Sequence, residues 1–373
     1  MSEIRAATLS PGEVSVRSFP RSPVPEDGLI VRILQCGVCG SDKHMLAGHL
    51  RLSFPIVPGH ELVAEVAEIG PKANETLFAV GGPLKEGDRV VITPSSKVCG
   101  QCWYCVNVPT RPTLCTNRLV YGFRNADAAP HVWGAFAEYM YVHGRSWVYN
   151  LPDGMSLDRA VLAEPMAIAM RGIEKAYTPG LPTMREGLGV ARSCVVLGVG
   201  PIGLMAVTAL KHIGAGPIIA IDYQQNRLEM AQTLGADVTI NGKDTAEPER
   251  LEHVRSLTEG VGADVVLETA GVPAAFAEAL QLARRGGKVI ELGHYTDPGE
   301  TSVRPHVICN KDLDIHGSWS TPPVEFRTAL AVLANTTAPL EKLITHRYTL
   351  DDVAAAINSV GREGVIKAAV VST

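Results

Sequence analysis

Cys99, Cys102 and Cys105 recur at a step of three, and Cys115 follows ten positions on. Each Cys-x-x-Cys turn aims two sulfurs at one point, and four thiolates suit a single tetrahedral Zn2+ at about 2.3 Å from each sulfur. A disulfide pair or scattered core cysteines fit worse, because the cluster is dense and the chain reads as intracellular. Four thiolates leave the ion no open position, so this zinc is structural and the chemistry must lie elsewhere.

A second set of ligand types stands at Cys39-Gly40-Ser41-Asp42-Lys43-His44 and at Gly59-His60-Glu61. A catalytic zinc takes about three protein ligands and keeps one position open. Cys39 and His60 are the first candidates. The third is Glu61 or Glu164, the latter within Ala163-Glu164-Pro165-Met166.

Gly198-Val199-Gly200-Pro201-Ile202-Gly203 is a G-x-G-x-x-G that follows a predicted strand and opens a predicted helix, the context that makes the pattern specific. Gly198 permits the tight turn, Gly200 lets the backbone approach a pyrophosphate, and Gly203 lets the helix pack close to the sheet. The helix N-terminus, beginning with Pro201 and Ile202, offers free N–H groups to phosphate. Asp222 ends the next strand, where a carboxylate accepts hydrogen bonds from an adenosine ribose and repels a 2′-phosphate. That points to NAD rather than NADP. A helix N-cap is the plainer reading of Asp222, and its place relative to the glycines argues against it. Arg227 is read as stacking on adenine or facing water. Thr269, Leu292 and Gly293 complete the candidate cofactor set.

The elements that must position these groups change character midway. The first half reads as strands at 14–16, 29–36, 62–69 and 89–93, bounded by Gly, Pro and Asp. A helix is expected over 160–176 and a Gly/Pro-rich loop over 178–192. From Ser193 onward apolar strands alternate with helices: strands at 194–197, 217–221, 238–240, 264–267, 288–292 and 313–316, and helices at 203–213 and 227–234 among them. Six parallel strands alternating with helices make a doubly wound α/β sheet. From Thr321 two more helices and a last strand, 366–371, follow. Cys36, Cys194 and Cys309 are expected to be buried. His49, Arg51, Arg124 and Trp319 are candidates to line a substrate pocket.

At 373 residues the chain is long enough for two domains, and its apolar content of 46% supports large cores. Aromatics are only 5%, so Val, Ile, Ala and Leu must fill those cores, as in parallel sheets flanked by helices. The formal charge is -5 with signs mixed, and no basic stripe points to nucleic acid or an anionic membrane. The N-terminus lacks the regions of a signal peptide, and no apolar run reaches the ~18 residues of a membrane span. A cytoplasmic protein is expected.

With these motifs in hand, the chain resembles the zinc-dependent medium-chain alcohol dehydrogenases, within the polyol, threonine and glucose dehydrogenase branch. The resemblance runs from about Ala6 to Val371. It rests on Cys36-Gly-Val-Cys-Gly-Ser-Asp42, Gly59-His60-Glu61, Gly87-Asp88-Arg89-Val90, the four-cysteine lobe, Glu164-Pro165 and the 198–203 glycines. It implies a GroES-like β-barrel catalytic domain over 1–166, with the zinc lobe at about 97–117. A Rossmann domain over 167–320 would follow, and 321–373 would return to the catalytic part. It implies two zinc ions: a catalytic one on Cys39, His60 and the Glu164 position, with Glu61 able to replace a ligand, and a structural one on the lobe. Asp42 would orient the histidine ligand, Ser41 would take the substrate proton, His44 would pass it outward, and Lys367 would meet the pyrophosphate. The implied reaction moves a hydride from an alcohol carbon to a nicotinamide held across the crevice between the domains, with zinc as Lewis acid. The resemblance also implies a small-molecule alcohol as substrate and a homodimer or homotetramer. A zinc-free reductase on the same fold would lack Cys39, His60 and the lobe. A non-catalytic NAD-binding relative would be expected to lose a ligand or Ser41. The spacing from Cys105 to Cys115 exceeds the family's usual one, and the long 72–85 segment reads as a surface excursion.

Overall fold

The computed structural model describes residues 3–177 and 187–372. Most of the predicted 178–192 loop therefore lies outside the described residues. The chain divides into two compact units, one of Met1–Glu164, Thr321–Ala334 and Ile344–Thr373, the other of Pro165–Ser320 and Asn335–Leu343.

The first unit is built on an eight-stranded, mostly antiparallel sheet. Its long central strands are Leu29–Gly37 and Glu61–Ile69. Alternation along Leu29–Gly37 sends Leu29, Val31 and Ile33 into one core and Ile30 into a smaller one with Ile4, Phe19 and Tyr141. On one side the sheet continues through Arg89–Ile92, Trp147–Asn150 and Phe78–Val80. On the other side Lys367–Val371 joins Leu29–Gly37, and Ile344–Tyr348 pairs parallel with it, joined by helix Val353–Ser359. A hairpin of Glu3–Ser10 and Glu13–Pro20 lies beside this sheet and bridges to it at Ala6 and Ala137.

Two expectations change here. The 72–85 segment is no mere excursion, because it holds helix Ala73–Thr76 and the edge strand Phe78–Val80, which pairs parallel with Trp147–Asn150. Strand Ile344–Tyr348 was not foreseen, because only part of its Ile-Thr-His-Arg-Tyr run is apolar and its side chains alternate with solvent.

The second unit is a six-stranded parallel sheet. Cys194–Leu197, Ile218–Asp222, Val238–Asn241, Ala263–Glu268, Ala283–Glu291 and Asp314–Gly317 run in spatial order third, second, first, fourth, fifth, sixth. The first two strands are buried throughout, as expected where helices cover both faces. Helix Pro201–His212 begins two residues earlier than predicted, because Pro201 at its first turn has a φ already suited to a helix. Cys194 is buried, as expected, but Cys309 is exposed. It rides on helix Pro305–Lys311, whose Val307 and Ile308 take the contacts with the core. Among the described residues no helix is long and apolar enough to cross a membrane.

Candidate active site

Helix Gly40–Leu46 starts directly after strand Leu29–Gly37, and Cys39 is its N-cap. Asp42, in the first turn, accepts the Cys39 N–H at 2.8 Å, so the turn that presents the thiol is closed by its own carboxylate. Glu61 opens the strand Glu61–Ile69 and His60 immediately precedes it, both just after Gly59. That glycine has φ +94°, and a Cβ there would fall 2.6 Å from the Phe136 nitrogen, so the motif needs glycine for both reasons.

These elements bring donor atoms of Cys39, His60 and Glu61 within 4.8 Å of one another. The His60 ring stands between two partners. Its Nε2 lies 3.4 Å from Ser41 Oγ, and its Nδ1 lies 3.9 Å from Asp42 Oδ1. The Nδ1 and Oδ1 atoms are buried and have no hydrogen-bond partner, but they face each other as a ligand histidine and its orienting carboxylate would. Glu164, at the start of helix Ala163–Ala176, is buried but outside the compact trio.

The trio's electrostatics ask for a cation. Burial, then the Glu61 carboxylate, push the Cys39 thiol well up. Burial and Glu61 also push Glu164 up to about 7. Asp42 is raised by burial, partly offset by His60. Lys367 is the buried positive charge within this group, and its ammonium pairs with Glu61. Gly37 leaves the space for that pair, since a Cβ there would meet both side chains. Were Cys39, Asp42, Glu61 and Glu164 all ionised, the one ammonium would face four negative charges, a shortfall that a divalent ion would offset. Thiolate, imidazole and carboxylate are also a donor set that zinc takes. Lys367, expected at the pyrophosphate, is buried and paired with Glu61.

Ser41 is nearly buried, whereas His44 is half-buried and turned to His49, with their Nδ1 atoms 3.0 Å apart. One ring must donate and the other accept, so the two imidazoles hold opposite tautomers. Burial, then His49, hold His44 below its ordinary value. His49 was read as a pocket residue; its place five positions past His44, just beyond the helix end, was the available signal of pairing. Arg124 covers the Trp133 ring, Arg51 is exposed, and Trp319 stacks on Tyr295 with centroids 4.7 Å apart.

In the lobe, the Sγ–Sγ distances are 3.5 Å (Cys102–Cys105), 3.6 Å (Cys99–Cys115), and 3.9 Å (Cys99–Cys105 and Cys102–Cys115). A tetrahedron with bonds of about 2.3 Å has edges of about 3.8 Å, so the four sulfurs fit zinc without rearrangement. Backbone N–H groups of Cys105 and Thr116 draw the Cys102 thiol down to about 6, while burial and Cys102 raise Cys105 to about 12.

In the second unit, Gly203 packs so closely that a Cβ would overlap the Gly198 carbonyl. Thr269 Oγ1 donates to that same carbonyl and to Leu197 O, so it braces the glycine turn. Asp222 accepts N–H groups of Val199 and Gln224, both at 2.8 Å, one on each oxygen, and each oxygen keeps a further lone pair. Arg227 is turned toward this carboxylate at 3.9 Å rather than toward water. Gly200, Pro201 and Ile202 remain partly accessible at the helix start. Leu292 and Gly293 follow the fifth strand, their N–H groups bonded to the Glu268 carbonyl.

Residues 25–153 match the alcohol dehydrogenase GroES-like domain, and residues 201–335 match the zinc-binding dehydrogenase model. A sorbitol dehydrogenase of Bacillus subtilis (strain 168) is 31% identical over 349 residues, covering 92% of this chain and 90% of the relative. The crystal structure of an alcohol dehydrogenase from Thermotoga maritima superposes with a TM-score of 0.89 at 29% identity, covering 100% of both chains. A zinc-binding dehydrogenase from Sinorhizobium meliloti 1021 bound to NADP gives 0.85 at 26% identity, again covering both chains fully.

Proposed function

Because the chain belongs to the zinc-dependent medium-chain alcohol dehydrogenase family, we propose that it transfers a hydride between a secondary alcohol, polyol or sugar hydroxyl and NAD+, reversibly giving a ketone or aldehyde. The observation that carries this reading is the compact Cys39, His60 and Glu61 group with Ser41 Oγ beside it. Cys39, His60 and either Glu61 or Glu164 would hold a catalytic zinc, and the four lobe cysteines a structural one. Bound there, zinc supplies Lewis-acid stabilisation of the charge that develops as an alcohol gives up its proton.

The chain's own groups do the rest. Ser41 Oγ would receive the substrate proton as it gives up its own toward the outer histidines, at a position little exposed to solvent, so bulk water does not compete for it. His44 and His49 carry it outward, one ring donating as the other accepts. Asp42 Oδ1 faces His60 Nδ1 at 3.9 Å, where it would orient the ring. In the second unit, the start of helix Pro201–His212 takes the pyrophosphate and Asp222 the adenosine ribose. The Asp222 charge favours NAD over NADP, and the NADP-bound relative makes this the sharpest point to test. The sorbitol dehydrogenase relative supports a polyol or secondary alcohol.

The deciding experiment is a screen of NAD+ and NADP+ reduction across secondary alcohols, polyols, aldoses and L-threonine, with zinc analysis in parallel. Turnover of at least one polyol or secondary alcohol, with kcat/KM higher for NAD+, is expected of protein carrying two zinc ions. Fully loaded protein inactive on every class would sink the reading.

A further inference from the structure

A third set of ligand-type side chains lies in the second unit, apart from both candidate zinc centres. Glu268 ends the fourth strand of the parallel sheet, and Glu291 ends the fifth. The two are direct partners in the register, so their side chains leave the same sheet face side by side. His294 follows three residues after Glu291. Donor atoms of all three lie within 4.8 Å of one another. His294 Nδ1 is 2.8 Å from Glu291 Oε1 and 3.4 Å from Glu268 Oε2.

Glu268 is 0% exposed, and its two oxygens differ. Oε1 accepts the N–H groups of Ala270 and Gly271, at 2.8 and 2.9 Å. Oε2 has no hydrogen-bond partner and points to His294. Glu291 Oε2 is also buried without a partner. A buried oxygen left this way costs desolvation unless something else meets it. The space is kept open by Gly293, where a Cβ would overlap Glu268 Oε2.

We propose that Glu268, Glu291 and His294 form a binding site for a first-row divalent cation in the dinucleotide-binding unit. Two carboxylate oxygens and one imidazole nitrogen are donors that zinc and manganese both accept. Around an ion with bonds of about 2.1 Å, neighbouring donors stand about 3.0 Å apart in an octahedron and about 3.4 Å in a tetrahedron, and the two separations from His294, 2.8 and 3.4 Å, lie close to these values. Binding would replace the hydrogen bond between Nδ1 of His294 and Glu291, leaving that nitrogen to face the ion. The location, at the carboxyl ends of two adjacent parallel strands, is where such sheets place ligands.

The test is equilibrium dialysis of the full-length protein against a concentration series of Zn2+, comparing wild type with Glu291→Gln and His294→Ala. Both changes fall on partly exposed side chains, and circular dichroism checks that the fold is kept. The wild type should bind one equivalent more than either variant, or bind it at least ~100-fold more tightly, beyond the cost of losing a mere outer partner. His294→Cys, which restores a ligand, should recover that equivalent. The comparison counts a difference, so it is independent of what the two first-unit centres hold. Identical zinc binding by wild type and both variants overturns the proposal and leaves a proton-sharing carboxyl pair only.

Discussion

In the four-cysteine lobe the donors are alike, mostly half-buried, and reached by backbone N–H groups from within the same short segment. The Cys39, His60 and Glu61 donors are unlike, come from two separated segments, and are ringed by Asp42, Glu164 and Lys367. The lobe therefore holds its thiols by local geometry, and the binding energy of a metal held there would also be folding energy. The trio is held in place by the sheet and needs positive charge to balance its donors. One centre should fail by unfolding, the other by losing chemistry while the fold stands.

The strongest way to break that contrast is to remove one ligand from each. Cys39→Ser or His60→Ala should lose a metal ion and at least about 10³-fold in turnover, several kcal/mol of charge stabilisation, with little change in thermal midpoint. Cys102→Ser should instead lower the midpoint and loosen the lobe. Metal analysis beside circular dichroism melts checks both, and the opposite pattern would overturn the comparison. Ser41→Ala should keep both metals yet lose about 10²-fold or more, since it removes the proton acceptor and no ligand. Wild-type rates in that variant on several alcohols would remove Ser41 from the relay.

The same contrast recurs among carboxylates of the second unit. Asp222, like the lobe thiols, is met by backbone N–H groups, one on each oxygen; Glu268 has them on one oxygen only, and its other side is crowded by a second acid. Asp222→Ala should cut the preference for NAD over NADP by about 5–150-fold, the worth of 1–3 kcal/mol, read from the two kcat/KM ratios. His44→Ala should cost less than about tenfold, and added imidazole should restore part of it, because His49 and water stand near.

The smallest effect concerns Glu268. Its folded value of about 9 lies above the ordinary 4.5, so between these the folded protein binds more protons than the unfolded chain. Stability should therefore fall as pH rises through that window. In chelator-treated protein, Glu268→Gln should flatten the slope of thermal midpoint between pH 6 and 9, and parallel curves would show that Glu268 does not keep its proton.

The doubly wound sheet was readable because its strands are short apolar runs, such as 194–197 and 218–221, punctuated by Gly and Pro. The clustering of the four lobe cysteines was readable because they are adjacent in sequence. What escaped was long-range. The pairing of Lys367 with Glu61 joins residues whose neighbours in sequence say nothing of each other. The Glu268 and Glu291 pairing depends on strand register, and each acid taken singly looks like an ordinary strand end. Strand Ile344–Tyr348 was hidden by its polar side chains, because pairing with Lys367–Val371 supplies what hydrophobicity does not.

Lys367 also bears on the order in which the protein is made. Cys39, His60 and Glu61 leave the ribosome early, but the counter-ion of Glu61 comes from a strand synthesised some three hundred residues later. That strand also pairs with Leu29–Gly37, the strand leading to Cys39. Domains generally fold as units during synthesis, amino-terminal first. Here the unit that begins first is finished last, after the whole parallel sheet has been made. Until then an acidic, thiol-bearing cluster is exposed without its ammonium, and chains cut short before Lys367 should present it permanently.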